Sequence, residues 1–380
     1  MILRIHNTPR PYKWGSRIDI AELLGTAPSG EPEAELWLGG HPGSPARIVE
    51  GASESDLAEW AAAHRSDKRL PFLMKVLAAA APLSLQAHPT LDQARDGFER
   101  ENSAGIPLTA PTRNYKDPWN KPELLYSLSD TFRALTGFRQ VSEARGELAS
   151  VGDARLAPFV ERLDDTFGLQ SATKWLLESG HGVDGVVAAL TEYARSPQRA
   201  SPTWETVLWL SKHYPGDPGV AVSTLMHTVV LGHGEAIYLP AGNLHAYLDG
   251  VGLEVMVASD NVLRGGLTSK HVDVLELMRV VDFRPLPTPR LAPHQRQEGV
   301  RFFRPDEGDF TLTMVDSSAL EMGVALPSAG AAIVLCLNGD LTIRGDGADS
   351  IHVKRGEAVF SDEATLIISG NGTAAVASGA

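Results

Sequence analysis

Only one cysteine, Cys336, occurs among the 380 residues, which excludes an internal disulfide framework and the cysteine-rich zinc modules. That usage agrees with a reducing cytoplasm. Cys336 sits in the apolar run Ala331–Leu337, where a buried core thiol is expected rather than a nucleophile. Long apolar runs are also missing: Val76–Pro82 and Ala331–Leu337 fall far short of the ~20 residues that cross a bilayer. Met1–His6 lacks the apolar stretch and cleavage site of a secretory signal, so a cytoplasmic location is expected. Positive charge is scarce. The 34 Lys and Arg against 47 Asp and Glu leave −13, which disfavours a nucleic-acid or anionic-membrane footprint. Any anionic ligand must be small and locally held, and a monomer is the favoured state.

What is present suits a folded, turn-rich chain. Apolar residues make up 43% of it, and 36 Gly with 25 Pro give 61 punctuating residues, too few for collagen or low complexity. The length predicts two or three folded units. Residues 1 to 140 mix short apolar runs with Gly, Pro and Asn, and their clearest strand is Pro82–His88. Strand alternation puts Leu83, Leu85 and Ala87 on one face and Ser84, Gln86 and His88 on the other. Thr90-Leu91-Asp92-Gln93 reads as a capping box opening a helix to about Glu101. From about 141 to 224 the spacing becomes helical, and this stretch is read as an all-α insertion with Trp175 and Trp204 in its core.

Strand patterning returns after Val229. Gly234–His245 reads as strand, Pro-x-Gly turn, strand, and Leu253–Asp260 alternates with Glu254, Met256, Ala258 and Asp260 on one face. A helix is predicted from about Ser269, and the Pro-rich segment Pro285–Pro289 marks a domain boundary. Beyond it, six short strands (310–315, 331–337, 341–343, 351–354, 358–360 and 365–368) have the spacing of a β sandwich. Gly370-Asn371-Gly372-Thr373 reads as a hairpin turn rather than a phosphate loop.

Three short motifs carry candidate chemistry. Gln86-x-His88 offers an amide oxygen and an imidazole from one strand face, ~6 to 7 Å apart. Lys121-Pro122-Glu123 places an ammonium and a carboxylate on one face of an extended segment. His245 follows its turn directly, where a rigid scaffold holds a side chain at the mouth of a β structure. Together Gln86, His88, Glu123 and His245 supply two nitrogens, a neutral oxygen and a carboxylate. This set suits zinc, and iron or manganese as well. The nearest cations are Arg264, Lys270, Lys121 and Lys75. Arg264-Gly265-Gly266 combines a fork for oxyanions with glycines that permit close backbone approach.

Gly234–His245 matches the second cupin motif, G-x5-P-x-G-x2-H, and Leu85–His88 resembles the first, with Gln in place of its first His. With Tyr12–Gly15, Glu35–Trp37, Leu83–Pro89, Tyr115–Asp117, Lys121–Glu123 and Asp260–Thr268, the chain resembles the type I mannose-6-phosphate isomerases over nearly its whole length. The resemblance implies a mainly β fold: two cupin-type jelly rolls with an inserted all-α domain. Their implied extents are 1–140 with 225–284 for the catalytic unit, 141–224 for the insertion, and 295–380 for a second roll without metal. It implies zinc (Zn2+) on Gln86, His88, Glu123 and His245, and an active-site Arg264 with Lys121 and Glu254 lining the sugar pocket. Ser84 and Lys270 are implied phosphate contacts, with Trp14 and Asp260 also binding substrate. Two positions depart from the family pattern. Pro118-Trp119-Asn120 stands where Asn-His is common, and Asp249 stands where the cupin motif ends in Asn.

That family interconverts mannose 6-phosphate and fructose 6-phosphate. The conversion moves one proton between adjacent sugar carbons through a cis-enediol, and a bound cation stabilises the developing negative charge. Lys121 and Glu254 are both candidates for the proton-transferring base, and Arg264 for phosphate or enediolate stabilisation. Two rivals use the same pocket: an Fe(II) cupin oxygenase, and a non-catalytic sugar-phosphate binder. Four protein ligands would leave the oxygenase few open positions for substrate and oxygen together.

Overall fold

The computed structural model describes residues 1–163, 167–196, 201–306, 310–345, 347 and 350–379. The chain is mainly β, with two antiparallel sheets of ten strands each. One sheet carries the candidate residues. Its organising element is the strand His245–Met256, which pairs along its first half with Phe132–Phe138 and Gln86–Ala87. Along its second half it lies between Leu73–Ala79 and Glu123–Ser127. The other sheet is built mainly from residues beyond 294.

Alternation explains how both sheets close on one core. Met74, Leu124 and Leu253 from the first sheet share an apolar cluster with Phe303, Phe310 and Leu312 from the second, and the Tyr126 and Phe303 rings meet edge to face at 5.3 Å. Burying this much aromatic and aliphatic surface is the main stabilising term for the junction. The first strand, Ile2–His6, pairs with Ala358–Ser361, and Arg47–Ile48 follows it into that same sheet. Residues 1 to 140 therefore contribute strands to both sheets. Strand pairing is non-local, and period-two patterning does not name the partner.

Among the described residues of Val141–Ser223 there are six α-helices. Their buried faces, including Phe159, Val186, Leu190, Trp204 and Leu210, pack on Leu85, Leu135, Phe138, Leu244 and Leu263 of the first sheet. Trp204 is buried and Trp175 packs partly buried against the same cluster, as expected for core residues. No described helix is long and apolar enough to cross a membrane.

The capping box is present: Thr90 accepts from the Gln93 amide and Gln93 from the Thr90 amide, opening the helix Leu91–Ser103. Other local expectations need correction. The helix expected from Ser269 begins at Val274, because Asp273 caps it by accepting from the Glu276 amide at 3.0 Å. Within Pro82–His88 only Gln86–Ala87 is regular strand. Leu83 donates to Tyr247 and Leu85 to Gly266, so this stretch changes partner midway. The two short strands expected at 331–337 and 341–343 are one, Ala332–Arg344. Its long partner is Thr365–Gly379, and Gly370–Gly372 lie inside that strand rather than in a hairpin turn. A Cβ at Gly370 or Gly372 would meet the Asp340 or Asn338 carbonyl at 2.2 or 2.0 Å. The glycines serve close strand approach beside a register shift between Cys336 and Asn338.

Candidate active site

Strand register assembles the site. His245 opens its strand opposite Gln86, and Gln86 in turn pairs with Arg264 on its other side. Further along, Glu254 pairs with Lys75 on one side and Leu125 on the other, while Met256 faces Glu123. Residues separated by more than 120 positions in the sequence thus become neighbours through these ladders.

His88, Glu123 and His245 are buried, and their ligand atoms all lie within 4.8 Å of one another. His88 Nε2 is 3.0 Å from Glu123 Oε1 and His245 Nε2 is 3.5 Å from Glu123 Oε2. Both imidazoles are oriented from behind. His88 Nδ1 donates to the Asn261 carbonyl at 2.8 Å, and His245 Nδ1 to the Asn243 carbonyl at 3.0 Å. These bonds assign the tautomer, leaving each Nε2 lone pair aimed inward. His245 Nε2 is a buried nitrogen without a hydrogen-bond partner. Two lone pairs and a carboxylate facing one another form an all-acceptor set that a divalent cation satisfies, so these residues fit a metal.

Two lysines border this cluster. Lys121 Nζ donates to Glu123 and lies 3.4 Å from His88 Nε2. Lys75 donates to Glu254 at 2.9 Å, lies 3.9 Å from Glu35, and sits 4.9 Å from the Trp37 ring centroid. Trp37 Nε1 fixes Glu35 at 2.7 Å. Three buried carboxylates (Glu35, Glu123, Glu254) face two ammoniums, so one negative charge is unbalanced. Its effect falls on Glu254. Burial and the repulsion of Glu123 push Glu254 up to about 7 against the pull of Lys75 and Lys121. Burial disfavours the Lys75 charge, yet Glu254, Glu35 and Glu123 outweigh it and raise its pKa. For Glu123 burial again opposes the charge, and Lys121 with His88 prevails, holding it well below the usual carboxylate range.

Above the cluster opens a cavity of about 430 Å³ lined by Ser84, Gln86, Lys121, Glu123, Glu254 and Arg264, together with Trp14, Asp260 and Lys270. His88 and His245 do not line the cavity but lie against Glu123, which does, at 3.0 and 3.5 Å. All eleven residues singled out from the sequence therefore meet at one place. Arg264 is half-buried in the lining, and among the described residues no carboxylate pairs with it or with Lys270. Burial lowers the pKa of both, and for Lys270 the neighbouring Arg264 and Lys116 add to the effect. Unpaired cations converging on a cavity are a site for an anion.

Residues 2–141 match the model of the phosphomannose isomerase type I catalytic domain. The mannose-6-phosphate isomerase of Escherichia coli K12 is 38% identical over 392 residues, covering 97% of each chain. The chain belongs to the type I phosphomannose isomerase family. The human mannose-6-phosphate isomerase is 31% identical over 92% of this chain and 90% of its own. A crystal structure of mannose 6-phosphate isomerase from Salmonella typhimurium, bound to fructose 6-phosphate and zinc, superposes with a TM-score of 0.89 at 36% identity, covering 100% of this chain and 99% of that one. A zinc-bound mannose 6-phosphate isomerase structure gives 0.89 at 35% identity over the same shares.

This family member explains its own departures from the common pattern. Asp249 forms an ion pair with Arg133 across the strand pair, which is how an acid is accommodated at that position. Asn120 is not among the residues lining the cavity, and the Arg69 guanidinium covers the preceding Trp119 ring at 3.7 Å. Sequence reasoning missed Asn261, which is wholly buried. Its carbonyl orients His88, and its side chain takes the Lys116 amide at 2.6 Å and donates to the Asp117 and Trp119 carbonyls at 2.7 and 2.8 Å. One residue thus ties a candidate ligand to the loop that delivers Lys121 and Glu123. Glu35, Trp37, His41 and Tyr247 were also missed. Tyr247 donates to Glu123 at 3.0 Å, and His41 Nε2 lies 3.4 Å from Asp260. The Glu35-Leu36-Trp37 run and the strand after His245 carried the only signal for them.

Burial and then the Lys121 charge lower the His88 pKa from 6.5 to about 4. A depressed imidazole pKa means that the fold requires the neutral ring. This contribution to stability is present above pH 6.5 and is lost as pH falls through 4. Thermal melts of chelator-treated protein should therefore show a loss on the order of 3 kcal/mol between pH 6.5 and 4. A His88→Gln variant should show a flatter profile in that window; an identical slope would assign the loss to other groups.

Proposed function

We propose that this chain interconverts mannose 6-phosphate and fructose 6-phosphate through a cis-enediol, with zinc held by Gln86, His88, Glu123 and His245. When bound there, zinc supplies Lewis-acid polarisation of the sugar oxygens and stabilises enediolate charge without redox chemistry. The observation that carries this reading is the pairing of two features in one cavity. A buried, all-acceptor cluster lies at its floor, and unpaired cations lie at its rim. Names of full-length relatives and neighbours support the same substrates and metal.

The protein residues divide the remaining work. Arg264 and Lys270, with the Ser84 hydroxyl, receive the phosphate, and the Arg264 fork also reaches toward the enediolate. Trp14 and Asp260 bound the sugar. The proton moves between C1 and C2 on a group that gains and loses it near neutrality. Glu254, pushed up to about 7, has that property, and Lys121 lies between the ligands and the cavity. Lys75 keeps Glu254 oriented. This reading takes the fold as two cupin-type jelly rolls with an all-α insertion at 141–224. The two antiparallel sheets and the helices packed on the first of them support it.

Metal analysis of the purified protein, then a coupled assay for fructose 6-phosphate formation from mannose 6-phosphate, tests the proposal. Zinc near one per chain, turnover abolished by chelator and restored by zinc are expected. Undiminished turnover without metal would overturn it. Saturable sugar-phosphate binding without conversion would favour the binding protein, and iron with oxygen uptake the oxygenase.

A further inference from the structure

The helical layer reaches the phosphate end of the cavity through one short turn. Helix Pro202–His213 ends at Tyr214, and Asp217 precedes the next short helix, Gly219–Ser223. Asp217 Oδ1 accepts the Gly219 amide at 2.7 Å and the Leu267 amide at 2.9 Å, while Oδ2 accepts the Thr268 amide at 3.4 Å. Leu267 and Thr268 belong to the loop that runs from Arg264 to Lys270, and both line the cavity. That loop is not a relaxed conformation. Leu267 has φ +54°, in the left-handed region a leucine rarely adopts, and it is fully buried.

Close approach holds the two segments in register. A Cβ at Gly266 would stand 3.0 Å from both Asp217 Oδ1 and the Gly219 Cα, and a Cβ at Gly219 would meet the Leu267 side chain at 2.9 Å. The same turn grips the opposite wall. The Tyr214 hydroxyl donates to the Pro82 carbonyl at 2.8 Å, two residues before Ser84, and Tyr214 itself lines the cavity. Between these anchors, Gly265 donates to Leu85 at 2.8 Å and Leu85 to Gly266 at 3.1 Å.

We infer that Asp217 and Tyr214 are positioning residues that set the distance between the Ser84 wall and the Arg264–Lys270 wall, and hence the fit of the phosphate group. Neither is placed to move a proton on the sugar. Their action is through the backbone of residues that meet the phosphate, where a displacement of about 1 Å is enough to cost binding. The inference rests on the isomerase reading of the cavity, and it gives the helical layer a role beyond covering the sheet.

The test uses the full-length, zinc-loaded protein with inorganic phosphate as the probe. In Asp217→Ala, KM for mannose 6-phosphate and the inhibition constant of inorganic phosphate should rise together by about tenfold. Bound zinc should be unchanged and kcat should stay within about twofold. Asp217→Asn keeps the Oδ1 acceptor for Gly219 and Leu267 and should recover most of the loss; Tyr214→Phe should shift both constants the same way by less. A folded Asp217→Ala variant with wild-type phosphate inhibition would overturn the inference, as would a joint fall in its zinc content and kcat. Should Asp217→Ala fail to fold, Tyr214→Phe decides it by the same constants, and wild-type values for both would overturn the inference. Wild-type protein that never converts mannose 6-phosphate would sink the isomerase reading instead. Phosphate binding by titration calorimetry would still report on Asp217.

Discussion

His245→Ala is expected to remove metal and turnover together. The imidazole contributes the one buried acceptor in the cluster that has no protein partner, so its lone pair has no role that another side chain satisfies. Alanine leaves the backbone pairing of residue 245 with Gln86 and Thr136 available, so the strand should persist. It also leaves a cavity at a position only 1% exposed. A Lewis acid contributes several kcal/mol of transition-state stabilisation, so turnover should fall on the order of 10³-fold or more. Zinc analysis, circular dichroism and the coupled assay on the same sample check this. Retained zinc with activity within tenfold of wild type would remove His245 from the ligand set.

Arg264→Ala should give the opposite dissociation, keeping zinc while losing turnover. Burial lowers the guanidinium pKa, and among the described residues no carboxylate pairs with it, so an anionic ligand would offset the cost of holding this charge. Its backbone pairs with Gln86, one of the proposed ligands, and alanine preserves that pairing. Loss of a donor aimed at developing charge typically costs ~10² to 10³ in kcat. Arg264→Lys keeps the charge but not the bidentate fork and should recover only part of it. An alanine variant within a few-fold of wild type would exclude Arg264 from the mechanism. The Asp217 variants differ from both, since they should move KM and leave kcat nearly untouched.

The candidate site was legible because its chemistry sits in short, local motifs. Gln86-x-His88 alternates across a strand, His245 follows a Pro-x-Gly turn, and Arg264 precedes two glycines; the order of residues alone encodes each placement. The role of Asn261 was not legible, although the residue lies inside the Asp260–Thr268 motif that was. Its role consists of bonds to the His88 ring and to residues 116–119, which are remote in the chain. Lys75 was noted only as a nearby cation, because its clamp between Glu254 and Glu35 depends on which strands become neighbours.

Composition and periodicity determined a mainly β chain with a helical stretch near 141–224, a capping box at Thr90 and four candidate ligands. These properties follow from local rules: side-chain period, caps and turn chemistry. Tertiary structure alone decided that Ile2–His6 completes the far sheet, that Gly370–Gly372 continue a strand instead of turning, and that Asp217 anchors the Arg264–Lys270 loop. Each depends on a partner distant in sequence. Sheet pairing and loop anchoring reward contacts whose closure no local pattern specifies.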